Sequence, residues 1–224
     1  HRSYYALITH IDAQIGRFRK ELELMNLGPT WFIFTSDHGE MLGDHHLFRK
    51  TYAYEGSARI PMIVVPPVGG ESRVSKEPVS LEDIMPTLLD VAGVEIPNSV
   101  EGKSLLPLLS EASEERPWRD VLHGEHSACY SDSMAMQYLT DGKTKYIWYT
   151  TTGEEQLFDL DKDPGECDNL VGNKDHDEQL KQWRSRMIKE LSKRPADGMT
   201  DGTRLIPGVK LPPFRPELLT GTTH

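Results

Sequence analysis

Thr35-Ser36-Asp37-His38-Gly39-Glu40-Met41-Leu42-Gly43-Asp44-His45-His46-Leu47-Phe48-Arg49-Lys50 follows the apolar run Trp31-Phe32-Ile33-Phe34, and a second apolar run, Met62-Ile63-Val64-Val65, comes shortly after. Both runs are strand-sized and uninterrupted by polar residues, the pattern of strands covered on both faces in a parallel sheet. Residues 52–58 between them read as a short helix. Upstream, Tyr5, Ile8, Ile11, Ile15, Phe18, Leu22 and Met25 recur every three or four residues and predict an amphipathic helix over 3–25. Gly28-Pro29 ends it. Helix, buried strand, loop, helix, buried strand is the alternation of an α/β fold. In open α/β sheets, sites form at the carboxyl ends of strands, which is where Asp37 and His38 fall.

Downstream, residues 82–92 predict a further helix, with Pro86 near its first turn, where a missing N–H costs little, and Gly93 at its stop. Gly102, Pro107 and the acidic run 111–115 mark a loop-rich boundary. Short strands are expected at 121–123, 136–139, 145–149 and 156–160, with Thr140-Asp141-Gly142-Lys143 as a turn. Their close spacing predicts an antiparallel sheet. A helix over about 177–193 would bury Leu180, Trp183, Met187 and Leu191 against that sheet. The expected organisation is an α/β core over 1–115, an antiparallel-sheet subdomain with its helix over 116–194, and an extended tail over 195–224.

Composition excludes several function classes. The net charge is −10, from 35 acidic against 25 basic residues, and no basic stripe suits a nucleic acid or an anionic membrane. No apolar stretch approaches the ~20 residues of a membrane-spanning helix. Cys129 and Cys167 are too few for a disulfide scaffold and too far apart for a zinc knuckle. The chain opens at His1 inside a helical pattern, so it is expected to continue upstream; any leader would precede His1, and the compartment stays open.

Taken alone, Asp37 reads as a turn cap and His38 as a polar residue at a loop mouth. Their neighbours add a second reading, a carboxylate and an imidazole held at a strand end as metal ligands. Gly39 and Gly43 permit close backbone approach, and Lys50 supplies a positive charge for an oxyanion.

Ser36-Asp37-His38-Gly39, Leu42-Gly43-Asp44-His45, Lys50 and Tyr54-Glu55-Gly56 with Arg59-Ile60-Pro61 resemble the later motif block of the sulfatase family, within the alkaline-phosphatase superfamily. Asp83-Ile84-Met85-Pro86-Thr87-Leu88-Leu89-Asp90-Val91-Ala92-Gly93 resembles that family's D-x-x-P-T-x-L-D-x-A-G helix. Leu157-Phe158-Asp159-Leu160-Asp161-Lys162-Asp163-Pro164-Gly165-Glu166 with Asn169-Leu170 resembles its hairpin and turn. The resemblance implies a partial alkaline-phosphatase-like parallel or mixed sheet with helices, followed by the small α+β subdomain.

It also implies roles. Asp37 and His38 would be ligands of a divalent cation, usually calcium in sulfatases. The imidazole leaves manganese and zinc open, because calcium favours oxygen shells. Lys50 would bind the sulfate group. His45 would orient the loop or touch substrate, with a structural hydrogen bond as the competing role. Arg59 is expected to pair with Glu55, one turn earlier. Glu125 and His126, at a strand end, are candidates for a substrate pocket, since pockets favour domain interfaces.

Sulfatases generate their nucleophile by oxidising Cys or Ser in a C/S-x-P/A-x-R motif to formylglycine. Neither Cys129 nor Cys167 opens such a motif. The resemblance therefore covers the C-terminal portion of a sulfatase, with formylglycine and the paired acidic ligands outside this chain. The expected parent hydrolyses small sulfate esters (aryl, steroid or glycan sulfates) and is compatible with a periplasmic or extracellular location. The chain alone is expected to turn over no sulfate ester, and sheet edges left unpaired predict oligomerisation. Two alternatives stand beside it: a phosphonate or phosphodiester hydrolase of the same superfamily, and a non-catalytic fold module.

Overall fold

A computed structural model describes residues 1–67, 72–109, 118–128 and 131–208. The first helix, α1 (Arg2–Met25), ends where Asn26 adopts a left-handed conformation. None of its residues is buried; Tyr5, Ile8, Ile11 and Phe18 lie exposed along the predicted apolar face. No helix among the described residues is long and apolar enough to cross a membrane.

Strands β1 (Phe32–Thr35) and β2 (Met62–Val65) form a two-stranded sheet. They run antiparallel, with Phe32 opposite Val65 and Thr35 opposite Met62. This corrects the parallel pairing expected from the continuous apolar runs. A parallel return needs a crossover long enough to carry the chain back along the sheet. The connection over 36–61 is long enough for that, but its residues go into a wound loop, a 3-10 turn and the four-residue helix α2 (Glu55–Ala58), with no crossover helix, and β2 returns antiparallel. Ile63 and Val65 are exposed on β2, so the strand is covered on one face, not two.

A 3-10 turn over Leu81–Asp83 leads into α3 (Ile84–Val91), with Pro86 in its first turn. The D-x-x-P-T pattern is explained here by hydrogen bonding. Asp83 is fully buried; its carboxylate closes a capping box with Ser80, accepts the Lys103 amide at 2.8 Å and pairs with Arg119. Thr87 donates to the Asp83 carbonyl and accepts the Leu105 amide at 2.8 Å. A buried carboxylate is tolerable only when satisfied in this way. Gly102 passes so close to the Glu82 carbonyl that a side chain would collide with it.

The predicted antiparallel sheet is present, in the order β3 (Leu122–His126), β4 (Met136–Thr140), β5 (Thr144–Tyr149) and β6 (Glu155–Asp159). At the β4–β5 turn, the Asp141 carboxylate accepts the amides of Lys143 and Thr144, and Gly142 takes the positive φ the turn requires. The sheet is covered on both faces. On one, Leu139, Tyr146, Trp148 and Leu157 pack with Leu180, Trp183, Met187 and Leu191 of α4 (Asp177–Leu191). On the other, Met136, Ile147 and Phe158 pack against Ala53 and Tyr54, at the end of the motif loop. Burial of each large apolar side chain contributes ~1.5–3 kcal/mol.

The extended tail expected from residue 195 is corrected in its first part. Pro195–Asp197 form a 3-10 turn, Met199 is buried in the α4 core, and Thr200 bridges to Leu205. Met199 gives this segment an apolar anchor, which the Gly, Pro and Thr content around it obscured. Residues 209–224 lie outside the described residues, as do the acidic boundary run 111–115 and Cys129.

Candidate functional site

Asp37 and His38 follow β1 directly and remain exposed, with side-chain exposures of 82% and 41%. Asp37 Oδ1 accepts the His38 amide at 3.0 Å and the Ser36 hydroxyl at 3.4 Å. The His38 amide holds the Asp37 carboxyl below its ordinary range, so it is anionic at neutral pH. His38 Nδ1 lies 2.7 Å from the Gly39 carbonyl oxygen. A carbonyl can only accept, so Nδ1 carries the proton, and Nε2 is left as the ring nitrogen that could act as a metal ligand. That nitrogen is 3.5 Å from Asp37 Oδ2. Fixing one ring nitrogen by a backbone carbonyl is how metal-ligating histidines are commonly oriented. The pair thus fits a cation as two donors; no cluster of three or more candidate ligands exists among the described residues.

The loop after His38 is tightly wound. Leu42, His45, His46, Arg49 and Thr51 all have positive φ, unusual for residues with side chains. Such conformations persist only where surrounding contacts impose them. Met41 is fully buried at the loop's centre and donates its amide to the Arg49 carbonyl at 2.8 Å. The Glu40 carboxylate accepts the amides of Leu42 and Arg49. Lys50 is half-buried between the positive-φ residues Arg49 and Thr51, and it forms no ion pair among the described residues.

His45 makes its contacts with Tyr54 and Gly165. Its ring stacks on Tyr54 with centroids 4.1 Å apart, and its Nε2–H donates to the Gly165 carbonyl at 3.0 Å. Both contacts tie the loop to other parts of the chain. Arg59 pairs with Glu55 at 3.5 Å, as the one-turn spacing predicts.

Glu125 and His126 end β3, beside a cavity of 420 Å³ that Ser127, Gln137, Arg194 and Asp197 also line. Neither Asp37, His38 nor Lys50 reaches this lining. Both Glu125 oxygens are engaged by the Arg194 guanidinium, at 2.9 and 2.6 Å. His126 Nδ1 is buried without a hydrogen-bond partner among the described residues. The Arg194 fork is the main cause holding the Glu125 carboxyl below its ordinary value near 4.5, with burial opposing it. A depressed folded value means that the pair's stability is present above the unfolded pKa and lost as pH falls through the folded one. Glu125→Gln should therefore lose less stability than wild type between about pH 5 and pH 2, measured by urea unfolding at each pH.

Three residues carry much of the architecture here, and of them Lys145 lies outside the motif stretches. Lys145, the second residue of β5, is 1% exposed, and its Nζ lies 2.7 Å from Glu55 Oε1 and 2.8 Å from Glu166 Oε1. The Glu55 amide, at the start of α2, donates to Glu166 Oε2 at 2.6 Å. Burial pushes the Glu166 carboxyl up, while the Lys145 ammonium and the Glu55 amide pull it down. The available signal was a lysine directly before the apolar run Tyr146-Ile147-Trp148-Tyr149, on a strand where a buried charge needs a partner.

Residues 43–193 match the family described as N-sulphoglucosamine sulphohydrolase, C-terminal. An arylsulfatase of Clostridium perfringens is 46% identical over 211 residues, covering 92% of this chain and 43% of the relative. A solved structure in complex with its substrate D-glucosamine-2-N,6-O-disulfate aligns with a TM-score of 0.69 at 27% identity, over 88% of this chain and 41% of that one. A phosphonate monoester hydrolase of Agrobacterium radiobacter aligns with a TM-score of 0.73 at 30% identity, over 85% and 40%. The chain spans less than half the length of each of these three proteins.

Proposed function

Because the chain belongs to the sulfatases, through the C-terminal family it matches, we propose that its parent enzyme hydrolyses sulfate esters and that Asp37, His38 and Lys50 form part of the site. The observation carrying this reading is the His38 ring, whose Nδ1–H is held by the Gly39 carbonyl so that Nε2 faces the Asp37 carboxylate. Asp37 supplies an anionic oxygen and His38 a neutral nitrogen donor to a divalent cation. Calcium is the assignment for the parent, with manganese or zinc as the alternatives an imidazole ligand favours. When bound, such a cation polarises the sulfuryl oxygens and offsets their charge. The Lys50 ammonium binds the sulfate group and favours the transition state's redistributed negative charge. The formylglycine nucleophile and the acidic ligands completing the shell belong to a part of the parent outside this chain.

The substrate is a small sulfate ester, and the glucosamine disulfate bound by a structural relative supports an amino-sugar sulfate among the candidates. The test is hydrolysis of p-nitrophenyl sulfate by the full-length protein with and without a chelator. Turnover should require the cation, and Asp37→Asn or His38→Ala should each lower it by ~10–100-fold or more, the usual effect of weakening a metal shell. Cation-independent turnover, or full activity in both variants, would refute the assignment. Similarity to a phosphonate monoester hydrolase supports a second reading; faster turnover of a phenyl phosphonate monoester than of the aryl sulfate would favour it.

A further inference from the structure

The loop bearing Asp37, His38 and Lys50 is connected to the β3–β6 sheet by a continuous chain of polar contacts. It starts at Lys145, whose ammonium is buried on the face of the sheet that covers Ala53 and Tyr54. A buried ammonium persists when its desolvation is matched by close, well-placed anions, and here it holds both Glu55 and Glu166. Glu166 adopts a positive φ of 54°, and its second oxygen takes the Glu55 amide. That bond anchors α2, a single helical turn too short to stand without tertiary support. From α2 two bonds return to the loop. The buried Ser57 accepts the Gly39 amide on its carbonyl at 2.8 Å, next to His38. Its hydroxyl accepts the Tyr52 amide at 3.3 Å, two residues after Lys50.

We propose that Lys145 and Glu166 are positioning residues for the cation and sulfate ligands, acting through Glu55 and α2 on both ends of the loop. The assignment of what the loop binds rests on the sulfatase reading; the clamp itself rests on the contacts above. Both act through Glu55, which Lys145 and Glu166 contact directly. Their effect is to fix where Gly39 and Tyr52 sit, and so where His38 and Lys50 point.

Three variants of the full-length protein test this. Glu166→Ala removes the acceptor for the Glu55 amide, Glu166→Gln keeps it, and Leu180→Ala removes packing on the opposite face of the sheet. Calcium affinity by titration calorimetry and amide hydrogen exchange at Gly39 and Tyr52 are the readouts, with Tm recorded for each variant. Glu166→Ala should weaken calcium binding by ~10-fold and speed exchange at both amides, while Glu166→Gln stays within ~3-fold of wild type. Leu180→Ala should lower Tm and leave both readouts unchanged. Unchanged exchange in Glu166→Ala would overturn the proposal, and so would equal changes in Leu180→Ala at the same loss of Tm. A wild-type protein that binds no calcium and hydrolyses no aryl sulfate would instead remove the sulfatase reading, and exchange at Gly39 and Tyr52 would still decide the clamp.

Discussion

Lys145→Met should destabilise the chain by ~3–5 kcal/mol at neutral pH, the usual cost of breaking a buried ion pair from one side. The variant keeps most of the lysine's apolar length, so the loss is electrostatic and not a cavity. Without the ammonium, the carboxylates of Glu55 and Glu166 face one another in a site where Glu166 is 3% exposed. Glu55 retains Arg59 at 3.5 Å, whereas no other cation pairs with Glu166 among the described residues. Burial already raises the Glu166 carboxyl, and loss of Lys145 raises it further, so the variant takes up a proton there. Acid therefore relieves the defect: the gap in urea midpoint between variant and wild type should narrow as pH is lowered to about 5. Adding Glu166→Gln to the variant should recover part of the loss, because the amide oxygen still accepts the Glu55 N–H. A tolerated Lys145→Met, with its urea midpoint at the wild-type value, would contradict the pairing.

Gly39→Ala should be the most damaging single methyl group near the site. A Cβ there would fall inside the van der Waals envelope of the Gly56 carbonyl oxygen and within 3.2 Å of the Ser57 carbonyl oxygen. These are backbone atoms, so no side chain can swing aside. Relief requires α2 to move away, which breaks the 2.8 Å bond from the Gly39 amide to Ser57. Overpacking of this kind costs ~1–3 kcal/mol of stability. The effect on chemistry should be larger, because Gly39 directly follows His38 and its carbonyl orients the imidazole. Displacement of a ligand by about 1 Å can cost ~100-fold in rate. In the full-length protein, sulfate-ester turnover should fall by that order, while thermal unfolding shows only the modest stability loss. Wild-type turnover in Gly39→Ala would mean that α2 does not constrain the loop.

Where signals are local in sequence, the reading from residues and the structure agree closely. The α4 face of Leu180, Trp183, Met187 and Leu191 follows from helical spacing, and the same four residues are the buried ones. The β3–β6 meander follows from short alternating runs joined by turn residues such as Asp141-Gly142. Asp37 and His38 are adjacent in the chain, so their meeting needed no tertiary information. Agreement fails where a partner is remote. The direction of β2 relative to β1 depends on how the connecting loop folds, and an apolar run looks the same in either orientation. Met199 reads as one methionine in a polar tail until the α4 core is present to receive it.

By itself, the sequence determined the family, the order of the elements and the adjacency of the carboxylate and imidazole at a strand end. Each is carried by neighbouring residues or by a repeat of two to four positions. The tertiary structure alone decided what holds that loop in place. Glu55 meets Lys145 across 90 residues and Glu166 across 111, and His45 meets Gly165 across 120. Contacts at such separations leave no period in the chain. They arise because the motif loop covers one face of the antiparallel sheet, and a charge buried beneath it must find its counterions there.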